Sequence, residues 1–219
     1  MKNRFLLKWT AASALGLGVA LVVFVTIQFP IKYGLDFERY WQWQEQAIEN
    51  SLVSYAAMLL GLLVAGAILG ASQALVLRSH GLRIMPWILA TALGFALLVA
   101  VFWPLTATGA LGVIPGPVEP ILLTVVSSGL AGICQYLALR REGITANRWL
   151  VLWLMGLIVG IVLTAAFFIS LEGGGIVLGW LPEVFFGGFW VAGVAALVSG
   201  NTLAGVLSSA RSARSARSA

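Results

Sequence analysis

Six long stretches of this chain contain no charged residue: Lys8 to Lys32, Glu49 to Arg78, Arg83 to Glu119, Glu119 to Arg140, Arg148 to Glu172 and Glu183 to Arg211. Each can hold the ~20 apolar residues with which a helix crosses ~30 Å of hydrocarbon. A charge at mid-span costs about 2.5–3.5 kcal/mol on insertion scales, while a Leu, Ile or Val returns about 0.3–0.6 kcal/mol. Windows this clean predict an all-α, polytopic membrane bundle of about six transmembrane helices, near 9–29, 52–78, 86–106, 120–140, 148–170 and 183–207. Pro30 is expected to end the first helix, and Pro86 to open the third in a first turn that tolerates it. A β-barrel would need alternating segments of ~10 residues, and these runs are continuously apolar for twice that length.

Composition agrees. Of 219 residues, 60% are hydrophobic and 10% charged, against about 25% charged in a soluble domain. A net charge of +5 does not point to nucleic acid, because no basic face interleaved with aromatics occurs. The lone Cys134 excludes a disulfide within the chain and reads as a small hydrophobe. The basic start Met1-Lys2-Asn3-Arg4 could open a cleavable signal. Its apolar run, however, ends in Gln28-Phe29-Pro30-Ile31 and not in small residues, so an uncleaved anchor is expected.

Lys and Arg residues set the orientation. With the N-terminus in the cytoplasm, Lys2, Arg4, Lys8, Arg78, Arg83, Arg140, Arg141, Arg148, Arg211, Arg214 and Arg217 fall inside, and only Lys32 and Arg39 fall outside. The chain is thus expected in a bacterial inner (plasma) membrane with both ends cytoplasmic. Arg78 and Arg140, with Trp87 and Trp149, are expected to anchor the inner helix ends at headgroup level. Trp9 stands at a similar depth, while Trp153 and Trp190 lie deeper and read as packing residues.

Shifting the chain by 62 positions aligns Gly70, Gln73, Leu75, Leu77, Arg78, Gly81, Trp87 and Gly94 with Gly132, Gln135, Leu137, Leu139, Arg140, Gly143, Trp149 and Gly156. The displacement covers two helices, which predicts a parallel duplication of a two-helix hairpin (units about 59–106 and 121–170) about a pseudo-two-fold axis along the membrane normal. Ala196-x-x-x-Gly200 is a fainter echo in the last helix. Over residues 59–170 this pattern resembles uncharacterised six-helix bacterial membrane proteins with repeated Gly-x-x-Gln-x-Leu-x-Leu-Arg hairpins. The resemblance implies a six-helix family of unknown activity and transfers no catalytic residue.

Small residues spaced by four share a helix face and admit a neighbouring backbone. Gly66/Gly70, Ser128/Gly132 and Gly156/Gly160 are such pairs; they fit helix packing within the chain, or docking onto another protein's helix. Gln73 and Gln135 lie ~7.5 Å inside their helix-ending arginines, where an unpaired amide is costly. Three uses are open: hydrogen bonds to each other or to backbone, lining of a polar vestibule, or ligation of a pigment's magnesium. The cofactor is unknown. His80 reads as a solvated turn residue.

Outside the membrane, segment 31–50 is amphipathic. Asp36 is placed to cap a helix from Phe37, and Tyr40, Trp41 and Trp43 are mixed with Glu38, Gln42 and Glu45. Residues 208–219 form a basic Arg-Ser-Ala tail suited to anionic lipid. Glu119, Glu172 and Glu183 stand at outer helix ends. No Asp, Glu, Lys, Arg or His lies centrally in a span, where pumps, proton-coupled transporters and intramembrane hydrolases need one. The sequence thus favours a non-enzymatic scaffold or accessory subunit, with membrane lipids and other membrane subunits or further copies of itself as partners. A small passive channel or transporter is the alternative.

Overall fold

A computed structural model of the chain describes residues 2–33, 52–107, 118–173 and 180–218. Most of segment 31–50, with Asp36, Trp41 and Trp43, lies outside the described residues, as does loop 174–179. The side chains of Glu119, Glu172 and Glu183 do so too. Six helices account for the rest: α1 (Lys2–Tyr33), α2 (Leu52–Arg78), α3 (Ile84–Ala107), α4 (Val118–Arg141), α5 (Asn147–Gly173) and α6 (Trp180–Ser218). Among the described residues there is no strand. Among those same residues, four segments are long and apolar enough to cross a membrane: Asn3–Ile27, Tyr55–Arg78, Asn147–Thr164 and Phe185–Ala213.

Prolines explain several helix starts. Pro86, Pro120 and Pro182 are each the third residue of a helix, where no intrahelical bond is lost by lacking an N–H. One expectation about a helix end fails at proline. Pro30 does not end α1, which runs on to Tyr33; so near the terminus, one missing bond leaves the remaining turn intact. Beyond the expected end of the sixth helix at 207, α6 continues through the basic segment to Ser218. Ala and Arg are strong helix formers, and neither Gly nor Pro follows Gly205 to stop the run.

The helices form a closed ring. Each packs against its neighbours in chain order, and α6 returns to pack against α1. The α2–α3 and α4–α5 connections share one backbone design. Gly81 has φ 76° and Gly143 φ 75°, in the left-handed region that closes a helix end without a Cβ clash. Gly81 N donates to the Arg78 carbonyl and Gly143 N to the Arg140 carbonyl, both across 3.0 Å.

One end of the ring gathers both turns, the start of α1 and the last third of α6. Phe5 stands edge-on to His80 at 4.8 Å, and Arg83 pairs with Glu142 across 3.6 Å. Arg4, Lys8, Arg78, Arg140, Arg141, Arg148 and Arg211 are exposed there. Elsewhere the ring turns large apolar side chains outward, including Met85, Leu89, Leu93 and Leu97 on α3 and Val151, Met155, Ile158 and Val162 on α5. Spaced by about one turn, each set paves one helix face with hydrocarbon, as a lipid environment requires.

Candidate functional site

The small-residue positions are spent inside the chain. A methyl group on Gly66 would stand 2.7 Å from the Ala92 Cα, and one on Gly70 3.0 Å from that of Ile88. On Gly156 it would meet the Ala195 Cα at 2.6 Å, and on Gly160 the Val191 Cα at 2.9 Å. Gly132 instead receives the Trp153 indole, whose Cδ1 would lie 2.8 Å from such a methyl. Ser128, one turn away, is buried, and its backbone carbonyl accepts from Trp153 Nε1 at 3.4 Å. These contacts are backbone to backbone or backbone to ring, and glycine alone permits them.

Trp87 and Trp149 are not anchors turned toward headgroups. They are 3% and 0% exposed, and Trp9 is also 0%. With Trp153 they make a row of four indoles inside the bundle: Trp9 is 6.0 Å from Trp87, Trp87 is 6.1 Å from Trp149, and Trp149 is 6.2 Å from Trp153. Spacings of this kind are the favourable ones for offset or edge-to-face rings. They stand near the helix ends that carry the arginines, but rotation about the helix axis turns them inward. Trp190, read as a packing residue, is in contrast 46% exposed. Arg78 and Arg140 are exposed as expected.

Beside the indoles lies a buried polar cluster built around Gln73 and Gln135. Trp87 Nε1 donates to Gln73 Oε1 at 3.2 Å. An indole N–H can only donate, so the Gln73 atom facing it must be the oxygen. The Gln135 atom 2.8 Å from that oxygen must then be Nε2, a donor. The same Nε2 donates to Thr91 Oγ1 at 2.8 Å, and the Thr91 hydroxyl passes its proton to the Trp87 carbonyl at 2.9 Å. Gln73 Nε2 donates to Ser13 Oγ at 3.0 Å. Four helices (α1, α2, α3 and α4) are thereby joined through groups that water does not reach.

Of the three uses open to the glutamines, the structure shows hydrogen bonding to each other. Both are buried, Gln73 at 0% and Gln135 at 1% exposure, and neither lines a vestibule. Sequence reading missed Ser13 and Thr91. The available signal was their spacing, since each follows a tryptophan, Trp9 or Trp87, by four positions. Trp9 Nε1, Thr10 Oγ1, Ser128 Oγ, Gln135 Oε1 and Trp149 Nε1 are buried and have no hydrogen-bond partner among the described residues.

At the positively charged end, a cavity of about 200 Å³ opens between the two turns and α6, lined by His80, Leu82, Ile144, Leu207 and Arg211 among others. His80 Nδ1 is 3.0 Å from Ser79 Oγ. Among the described residues, no group of three His, Cys, Asp or Glu side chains stands close enough to hold a metal ion. The chain matches no protein-family model, no curated protein and no solved structure.

Proposed function

We propose that this chain is a non-enzymatic integral membrane scaffold or accessory subunit, spanning a bacterial inner membrane about six times with both ends cytoplasmic, and packing through its outer faces against lipid and other membrane subunits. The observation that carries this reading is how the polar side chains are used. Gln73, Gln135, Ser13, Thr91 and Trp87 bond to one another in the interior, and the apolar stripes of α3 and α5 face outward. Chemistry is directed inward for cohesion, and the outer surface is left for contact.

Orientation is supported by the exposed Lys and Arg residues collected at one end of the ring, because such residues hold loops in the cytoplasm. The passive-pore reading has less support, since the two amides that would line a path are consumed by each other and covered. The parallel duplication of a two-helix hairpin remains part of the proposal, supported by the like turn geometry at Gly81 and Gly143.

Extraction in native nanodiscs followed by intact-complex mass measurement tests the role. A stoichiometric membrane-protein partner or self-assembly is expected, and Leu89→Ser with Leu93→Ser on the α3 face, or Val151→Ser with Met155→Ser on the α5 face, should release it. A lone particle that makes vesicles permeable to small solutes would overturn the scaffold reading in favour of transport.

A further inference from the structure

Three helices carry a tryptophan followed seven positions later by a glycine: Trp9 and Gly16 on α1, Trp87 and Gly94 on α3, Trp149 and Gly156 on α5. Each glycine meets the next helix at a matching place. A methyl on Gly16 would strike Ser72 and Leu69 of α2, one on Gly94 the backbone of Ala131 in α4, and one on Gly156 the backbone of Ala195 in α6. Leu69, Ala131 and Ala195 each stand four residues before Gln73, Gln135 and Ser199. The pairing of α6 with α1, with Gly200 against the Trp9 ring, takes the place in the ring that a third hairpin would occupy.

The hydrogen bonds follow this correspondence. Gln73 Nε2 bonds to Ser13, four residues after Trp9, and Gln135 Nε2 bonds to Thr91, four residues after Trp87. In the third position both partners change. Trp153 stands four residues after Trp149, and Ser199 stands where a glutamine would be. Bulk has moved across the interface: the Trp153 indole turns to the Ser128 carbonyl, and the short Ser199 hydroxyl folds back on the Ala195 carbonyl at 2.8 Å.

A third carboxamide would have completed the ring. Gln73 Oε1 accepts from Trp87 of its own hairpin and from Gln135 of the next. By the same relation, a glutamine at 199 would accept from Trp9 Nε1 and donate to Gln135 Oε1. Those two atoms, with Trp149 Nε1, Thr10 Oγ1 and Ser128 Oγ, are the buried side-chain atoms without a hydrogen-bond partner among the described residues. Trp9 and Trp149 are 0% exposed and Gln135 1%, so bulk solvent cannot satisfy them, and groups buried in this way are normally bonded to something.

We propose that the place of the absent third carboxamide is a binding site for an internal water molecule, which accepts from the Trp9 indole N–H and donates to Gln135 Oε1. The ligand must donate and accept at once. A metal cation would face indole N–H donors, and an anion would face an amide oxygen. Buried waters typically make about three hydrogen bonds, and Trp149, which stands to Gln135 in the repeat as Trp87 stands to Gln73, has an indole N–H without a partner among the described residues. This site is independent of whatever the outer faces contact.

The full chain, labelled with ¹⁵N-indole tryptophan and held in nanodiscs, tests the site by magnetisation transfer from water to each indole N–H. Long-lived water should transfer to Trp9 and not to Trp87, whose N–H is held by Gln73. In Gln135→Leu the Trp9 transfer should vanish while the Trp87 resonance stays in place. The double change Ser199→Gln with Trp153→Thr supplies the amide itself and should also abolish transfer to Trp9. Absence of transfer at Trp9 in the unaltered protein overturns the proposal, whatever the variants do. So does transfer that persists unchanged in a folded Gln135→Leu protein.

Discussion

Gln135 Nε2 reaches Gln73 Oε1 across 2.8 Å, although the two residues are 62 positions apart and belong to different helical hairpins. Each is buried, so the bond acts as an internal fastener between α2 and α4. Breaking it leaves groups that cannot turn to water.

Replacing Gln73 by Leu removes the acceptor of Trp87 and Gln135 and the donor to Ser13. Each orphaned buried group costs about 1–3 kcal/mol, and an expected net loss of about 2 kcal/mol is measurable by reversible unfolding in bicelles. Gln135→Leu should cost less, because Gln73 Oε1 keeps the Trp87 indole N–H and the Thr91 hydroxyl keeps the Trp87 carbonyl. Combined, the two changes should fall short of additivity by about 0.5–1.5 kcal/mol, in the range of polar couplings between membrane helices. Full additivity would mean that the bond contributes nothing.

Glycine positions divide sharply. Gly156→Ala puts a methyl 2.6 Å from the Ala195 Cα, so α5 and α6 must part. Overpacking of this kind costs about 1–3 kcal/mol and should lower the melting temperature in detergent. Gly205→Ala meets nothing within 4 Å and should be neutral or stabilising by up to about 1 kcal/mol through helix propensity. A thermal melt showing equal effects at both positions would refute the assignment of Gly156 to a backbone contact.

At Gly81 and Gly143 the space is open but φ is positive. Alanine at either should cost about 1–2 kcal/mol through backbone strain alone, and asparagine, which tolerates that region, should cost less. Because the two turns are built alike, their penalties should agree closely. Unfolding free energies that differ widely would argue against a shared turn design.

The Arg83–Glu142 pair bridges the two turns at 3.6 Å with the arginine side chain 81% exposed. Exposed pairs contribute about 0–1 kcal/mol, so Arg83→Gln should leave the melting temperature nearly unchanged. A large drop would reveal a structural role that its exposure does not suggest.

Much of the architecture was legible before any coordinates. Charge-free windows located the helices, and α2 matches its expected range of 52–78 residue for residue. Charge ends a span abruptly, which makes boundaries near Arg78 and Arg140 easy to place. What the windows lack is rotation about each helix axis. Trp87 and Trp149 have the composition of interfacial anchors, yet they face the interior. A uniformly apolar helix gives no polar side from which to infer its inner face. Ser13 and Thr91 escaped for the same reason: an isolated hydroxyl in an apolar run matters only once its partner across the bundle is known. Of the small-residue pairs, Gly66/Gly70 and Gly156/Gly160 were legible as close-approach faces, and only the structure says that their neighbours are α3 and α6 of the same chain.

The closure of the ring also bears on how the protein is made. Gly18 lies against Phe185, Leu17 against Gly188 and Trp9 against Gly200, so one flank of α1 is completed only by α6. During translation, α1 leaves the ribosome before α2 to α5, and α6 after them. That flank of α1 must therefore wait beside lipid or an insertion chaperone until every other helix has been synthesised, and a chain truncated before α6 would present it to degradation.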